Sequence, residues 1–354
     1  MGQGRPFAAG GARMTALAVA GAGLIGKRHL EAMRLAGIAV HSVVDPAPQA
    51  AAVAEAFGVP QFTELGAALA AKPDGVVLAT PNTAHAEGAL ACIDSRVPVL
   101  IEKPITTDLD QAIRIVEAAE AAGVPVLTGH HRRHLPVVRA AHERIRSGAL
   151  GTIVAAHAMF WLAKPDSYFE TGWRRSAGAG PTFLNLIHDI DLLRHLLGEV
   201  ATVRAVETNR IRRNPVEDAC AALVTFESGV VCTIQISDAI VAPWSFELTC
   251  HDNPAYPPTD QNAMWIGGTL ASLALPRGEE WSDGGKRDWW QPIRRTTLLR
   301  GGADPLVAQM RNFAGVIAGR EEPLCSGREG ARSLAALVAI KTAAQTGETV
   351  VPRS

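Results

Sequence analysis

Two short stretches carry side chains whose types and spacing suit chemistry. In "RVPVLIEKPITTD" the apolar residues Val97, Val99, Leu100 and Ile101 are followed at once by Glu102, Lys103 and Pro104. A charged pair at the mouth of a buried strand is costly unless it is paired or used. A lysine partly removed from water there, near a cationic ring, has its pKa lowered and can share in taking a proton from a substrate hydroxyl. Position alone equally allows a solvated rim salt bridge between Lys103 and Glu102. Glu102 is grouped with the cofactor-binding residues and is expected to hold the loop, or the lysine, in place. Pro104 makes the Lys103–Pro104 bond a candidate for the cis form.

The second stretch is "LNLIHDIDLLRHL". On a helix, positions 184, 185, 188, 191 and 192 share a face, which sets Asn185, His188 and Asp191 among leucines. Polar groups on an apolar face need partners or a cavity. His188 can serve as a general acid or base near neutral pH. The alternative is a core histidine bonded to Asp191.

These residues need a cofactor site, and the chain has a candidate. "AVAGAGLIGKRH" contains Gly21, Gly23 and Gly26 as GxGxxG, with Leu24 and Ile25 inside the motif. Gly21 permits the tight turn, Gly23 lets backbone approach a pyrophosphate, and Gly26 lets helix pack on strand. Free N–H groups at the helix start would hold the phosphates. Asp45 ends the next strand, 19 residues after Gly26, where a carboxylate takes the adenosine ribose hydroxyls and repels a 2′-phosphate. NAD is therefore expected over NADP. Thr80 and Asn82 end a further strand, where open sheets bind ligands. His85 either lines the same cleft or is an exposed helix residue.

The elements that must position these groups follow from patterning. Apolar runs at 16–20, 38–44, 75–80, 97–102 and 124–129 alternate with helical stretches at 24–36, up to Phe57, 84–94 and 108–122. That alternation predicts a parallel sheet covered on both faces. Thr107 or Asp108 caps the last of these helices. Beyond Pro136 a helix over 137–147 ends at Gly148, and strand-like runs follow. These are "GTIVAAHAMFWL", "VATVRAVETNRI", "ACAALVTFESGVVCTIQISDA" with a hairpin at "ESG", and "FELTC". The helix "PTFLNLIHDIDLLRHLLG" interrupts them. Residues 252–300 read as loop-rich, with Pro254, Pro257, Pro258 and Trp281, Trp289 and Trp290, and helices at 304–319 and 328–345 close the chain. The tryptophans are read as an interface or core patch rather than a pocket cap. The fold class is α/β, a Rossmann domain over 14–135 joined to an α+β domain over 136–354 with a large open, mostly antiparallel sheet. Residues 1–13 are expected to be a disordered leader.

Composition narrows the function classes. The chain has 354 residues, 47% hydrophobic and 19% charged, with a formal net charge of -1. That balance excludes nothing globular but favours neither nucleic acid nor an anionic membrane as partner. The five scattered cysteines form no CxxC pair, which fits free thiols in a cytoplasmic protein and offers no zinc site. The intervening arginines and the lack of an adjoining acid argue against a metal site at His130, His131 and His134.

Taken together and in order, "GAGLIGKRH", "ATPNTAH", "EKP" and "GAGPTFLNLIHDIDLLRHLLG" resemble the Gfo/Idh/MocA oxidoreductases, over nearly the whole chain from Met14. The resemblance implies that Lys103 is the catalytic lysine and that His188 is the helix histidine. It implies that "GWRR" places Trp173 and Arg174 at the nicotinamide or substrate. It also implies that "GHHRRH" places His131 and Arg132 near the substrate, and that the C-terminal sheet forms a homodimer or homotetramer interface. Inositol-dehydrogenase-like members carry an aspartate four residues before the histidine; here that position is Leu184, and Asn185 stands three before. An amide cannot take the proton a carboxylate takes. The expected activity is NAD-dependent oxidation of a secondary alcohol on a sugar, polyol or related cyclic substrate. The rivals are an NAD-retaining glycosidase using transient oxidation and a non-catalytic NAD-binding regulator.

Overall fold

The computed structural model describes residues 14–176, 178–251, 256–299, 301–302 and 304–353. The leader expected over 1–13, and Pro254, lie outside the described residues.

The first half builds β1 (Ala16–Ala20), α1 (Leu24–Ala36), β2 (Ala39–Val44), α2 (Ala50–Ala56), β3 (Gln61–Phe62) and α3 (Leu65–Ala70). It continues with β4 (Gly75–Leu78), α4 (His85–Asp94), β5 (Val99–Ile101), α5 (Leu109–Ala122) and β6 (Val126–Thr128). The strands form one parallel sheet in the order β3-β2-β1-β4-β5-β6. β4 and β5 are buried along their whole length, as expected of strands covered on both faces. The order reverses between β1 and β4, so the carboxyl ends of these strands open a crevice there. Asp108, one of the two expected caps, accepts a hydrogen bond from the Gln111 N–H at 2.9 Å and starts α5. β3 and α3 were absent from the sequence reading, because two residues and one alanine-rich turn carry no readable period.

The second half holds β7 (Ile153–Trp161), β8 (Val200–Thr208), β9 (Ala219–Phe226) and β10 (Val231–Ser237). β11 (Met264–Gly268), β12 (Ala271–Leu275), β13 (Glu279–Ser282) and β14 (Arg294–Thr297) complete the sheet. Its helices are α6 (Pro136–Arg146), α7 (Ile187–Leu197), α8 (Phe246–Thr249), α9 (Pro305–Ile317) and α10 (Gly327–Thr346). The eight strands run β14-β13-β12-β11-β7-β10-β9-β8, antiparallel except between β7 and β10. The β9–β10 hairpin turns at Gly229, whose φ of 84° suits glycine. One face of the sheet packs Val203, Val224 and Ile234 into a core shared with Leu193 of α7 and Leu337 of α10. The other face leaves Val206, Leu223 and Val231 exposed. α9 returns to the first domain, where Met310 and Phe313 join Leu17 and Leu30 in one core.

Three expectations are corrected. "FELTC" is not a strand but the single turn α8, because the Ser245 side chain caps it by accepting from Leu248 N–H at 3.2 Å. The segment read as loops contains β11 to β14; Met264 and Ile266 face the core while Trp265 faces out, a period too short to read without its partners. Trp289 and Trp290 are 89% and 83% exposed beyond β13, so they form no core patch. Among the described residues no helix is long and apolar enough to cross a membrane.

Candidate active site

The glycine loop between β1 and α1 has the shape its spacing demands. Gly21 has φ of 98°, and a Cβ there would lie 2.3 Å from the Ala79 carbonyl oxygen. A Cβ on Gly26 would lie 1.8 Å from the Gly21 oxygen. Gly23 differs, since nothing lies within 4 Å of its Cβ direction. It opens α1 with no side-chain cap and no acidic residue in the first turn. The N–H groups there remain available to an anion. Leu24 is 85% exposed and Ile25 packs onto the core beside α1, so both serve the site through backbone rather than side chain. The Asp45 carboxylate accepts from Ala22 N–H at 2.7 Å and Ala47 N–H at 2.8 Å. It thus ties the glycine loop to the end of β2 while keeping spare lone pairs. The open Gly23 face, the uncapped helix start and this carboxylate fit a dinucleotide.

A cleft of about 800 Å³ opens at the ends of β4 and β5, lined by Asn82, Lys103, Trp173, Phe183 and Leu184 among others. Thr80 precedes the lining residue Pro81, and its hydroxyl is buried with no hydrogen-bond partner among the described residues. Lys103 follows β5, and its bond to Pro104 is cis, as expected. Glu102 is buried; its Oε1 lies 2.7 Å from His29 Nε2 on α1, and its Oε2 accepts the Lys103 N–H at 3.1 Å. Burial works against its charge, but the His29 bond and the His29, His131 and Lys103 charges prevail and lower its pKa to about 2. Glu102 is therefore a brace between the cofactor helix and the Lys103 loop, not a group facing the cofactor. His85 is also corrected. It is buried, with Nδ1 3.0 Å from the Pro104 oxygen and Nε2 3.1 Å from the Thr80 oxygen, and burial lowers its pKa. It fastens two cleft-lining loops together instead of lining the cleft.

The helix bearing His188 begins with a π-helical turn over Thr182–Leu186 and continues as α7. Such turns recur at functional sites, and this one breaks the 3.6-residue period on which the shared face was read. His188 is buried, and its ring lies 5.6 Å from His131 and 6.4 Å from His130. Burial first, then the positive charges of Lys103, Arg132, His131 and His130, hold its pKa well below the usual histidine range. Its Nδ1 has no hydrogen-bond partner among the described residues. The alternative of a histidine bonded to Asp191 fails, because Asp191 receives Arg133 at 2.7 and 2.9 Å and Ser333 at 2.8 Å.

The remaining predicted residues divide. His131 stays with His188. Arg132 is held away from the cleft lining: it is buried, donates to Glu247, lies 3.9 Å from Asp189 and 5.5 Å over the Phe246 ring, and its charge acts on His188. Trp173 is exposed and lines the cleft. Arg174 donates to the Tyr168 carbonyl at 3.0 Å and lies 4.1 Å over the Tyr168 ring. Asn185 accepts from Lys164 Nζ at 2.9 Å. His29 and Lys164 were missed. A histidine three residues after Gly26, on the inner face of α1, was the available signal for one. Lys164, in a Lys-Pro loop, gave none.

The sequence comparisons agree with this geometry. A family model described as an oxidoreductase family with an NAD-binding Rossmann fold matches residues 15–130, and the GFO/IDH/MocA C-terminal domain matches 138–273. The chain belongs to the Gfo/Idh/MocA oxidoreductases. As a member of that family it is an NAD-binding oxidoreductase with a Rossmann domain and a mostly antiparallel C-terminal sheet. It is similar to 1,5-anhydro-D-fructose reductase of Ensifer adhaerens, 29% identical over 290 residues, 78% of each chain. It is similar to inositol 2-dehydrogenase 4 of Saccharopolyspora erythraea, 34% identical over 233 residues, 61% of this chain and 64% of that one. The WlbA dehydrogenase of Bordetella pertussis, solved with NADH and UDP-GlcNAcA, is 25% identical with a TM-score of 0.76, over 97% of this chain and 99% of that one.

Proposed function

We propose that the protein is an NAD-dependent dehydrogenase that oxidises a secondary alcohol of a sugar, polyol or related cyclic compound. The observation that carries this is that Lys103, from the end of β5, lines a cleft and sets its charge on the buried His188 of α7. Bound NAD supplies a nicotinamide ring that accepts hydride. The chain's own groups do the rest. The α1 N-terminus and Gly23 hold the pyrophosphate, and Asp45 holds the ribose. The sequence Pro46-Ala47-Pro48-Gln49 beside Asp45 offers no cation for a 2′-phosphate, which favours NAD over NADP. Lys103 orients the substrate hydroxyl by hydrogen bonding, and Glu102 with His29 fixes the Lys103 backbone. His188, held neutral by burial and its cationic neighbours, takes the hydroxyl proton. Relatives named as a sugar reductase and an inositol dehydrogenase support the substrate class.

Two further statements belong to this reading. A second copy of the chain covers the outer face of the C-terminal sheet, where Val206, Leu223 and Val231 are exposed, giving a homodimer or homotetramer. The protein works in the cytoplasm, consistent with Cys92, Cys220, Cys232, Cys250 and Cys325 being free thiols. The test is a panel of sugars, polyols and hydroxy acids with NAD and NADP, followed by reduced-nicotinamide absorbance. Turnover of at least one sugar or polyol with NAD is expected. Release of a free sugar from a glycoside without net NADH would replace this reading with a glycosidase.

A further inference from the structure

Lys164 follows β7, and its ammonium is buried between two elements. It donates to Asn185 Oδ1 at 2.9 Å, lies 3.3 Å from Asp238 Oδ2 and sits 4.9 Å over the Tyr168 ring. An ammonium has donors only, so the amide atom that meets it must be oxygen. The Asn185 Nδ2 group is thereby turned away from Lys164, with its two N–H donors unspent and next in sequence to Leu184 of the cleft wall. Arg174 lies on the same Tyr168 ring at 4.1 Å. Its Nη1 donates to the Tyr168 carbonyl, but its Nε is buried without a hydrogen-bond partner, and no carboxylate among the described residues pairs with it. The nearby cations Lys164 and Arg212 are matched by Asp218 and Asp238. Arg174 is the cation left over. Among the described residues no acidic side chain lines the cleft. A buried donor without an acceptor is costly, and a ligand that brings acceptor oxygens removes that cost. The Tyr168 ring, which both Arg174 and the Asn185-bound Lys164 approach, links the two donors, and a planar guanidinium matches a carboxylate in shape and charge.

From this juxtaposition we infer that the substrate carries a carboxylate, held by Arg174 and by Asn185 in the orientation Lys164 imposes. The substrate is then a sugar acid or a cyclic or open-chain hydroxy acid. The inference rests on the dehydrogenase reading above and narrows its substrate class. Lys164 is a positioning residue, acting through Asn185.

The test uses the full chain with NAD and matched pairs, D-glucuronate against D-glucose and D-galacturonate against D-galactose. The kcat/KM for the acid is expected to exceed that for the neutral sugar by at least about tenfold. Arg174→Gln lowers that ratio about tenfold through KM, and Lys164→Met does the same because the amide is free to flip. Lys164→Arg, which keeps the donor, restores most of the preference. Asn185→Asp, which sets a negative charge against the carboxylate, inverts it. NADH binding to each variant, read by fluorescence, establishes that it is folded. Binding of the acids and of the neutral sugars to the NADH complex is measured alongside. Turnover of neutral sugars with no acid preference, or an acid preference untouched by the Arg174 and Lys164 variants, overturns the inference and leaves the dehydrogenase reading standing. Selective acid binding to the NADH complex with no turnover of any compound overturns the dehydrogenase reading instead. No acid preference in either measurement overturns the inference.

Discussion

His188 and Asp191 lie three residues apart near the start of α7, and burial acts on both. Asp191 has every reason to be charged. Burial opposes its ionisation, but the Arg133 charge and hydrogen bonds with Ser333 hold its carboxyl well below the usual carboxylate range. His188 has every reason to be neutral, with cations around it and a bare Nδ1. A buried polar group whose partners are all present belongs to the architecture. One left incomplete beside a cleft belongs to the chemistry. The same contrast separates Glu102, whose two oxygens are engaged, from Lys103 next to it at the cleft.

The contrast is open to direct attack. Replacing His188 by Ala is expected to lower kcat about a hundredfold to ten-thousandfold, the span of a lost general base, while leaving thermal stability near that of the parent. Steady-state kinetics beside a melting curve checks both halves. Replacing Asp191 by Ala should do the reverse. It removes the bidentate partner of the buried Arg133, leaving it Glu329 at 3.1 Å, and is expected to cost about 3 kcal/mol in urea unfolding, with activity per folded molecule largely kept. If Asp191→Ala instead loses activity without losing stability, the division between the two residues is wrong.

Much of this was legible beforehand, and the reasons are physical. The glycine loop, Asp45 and Lys103 were readable because strand, turn and helix obey local rules, and the crevice position follows from strand order alone. His85 and Glu102 were misplaced because whether a rim side chain points up or down depends on partners from distant segments, Pro104 for one and His29 for the other. Arg132 was misplaced for the same reason, its partner Glu247 standing 115 residues away. The π-turn before α7 escaped because a helical wheel presumes an unbroken period, and with it went the Lys164–Asn185 contact. Ser245 ahead of "FELTC" was an available capping signal that the alternating apolar pattern overrode.

An effect on stability alone is expected with pH. Burial is the first cause lowering His130 and His195 to about 4 and His134 to about 3, and it lowers His188 as well. Below the unfolded value of 6.5 the unfolded chain takes up protons at these histidines that the folded chain refuses. Stability should therefore be full above that pH and fall as the pH drops from 6.5 toward 4, at up to about 1.4 kcal/mol per pH unit for each histidine. Unfolding free energies measured across that window check it, and a flat profile would mean these rings are more hydrated than the fold implies.

The smallest effect sharpens the comparison at the glycine loop. Gly23 has φ of -70° and open space at its Cβ direction, so Gly23→Ala should leave the melting temperature unchanged or slightly raised. NADH affinity should nevertheless fall about tenfold, because the methyl group meets the pyrophosphate. Gly26→Ala, facing the Gly21 oxygen at 1.8 Å, should damage fold and binding together.

The central claim is that Lys103 acts on the substrate while its neighbours only hold it there. Lys103→Ala, assayed by reduced-nicotinamide formation on the best substrate of the panel with NADH binding measured in parallel, tests it most directly. At least about a hundredfold loss of kcat with NADH affinity retained is the predicted result. Activity within a few-fold of the parent would contradict the account.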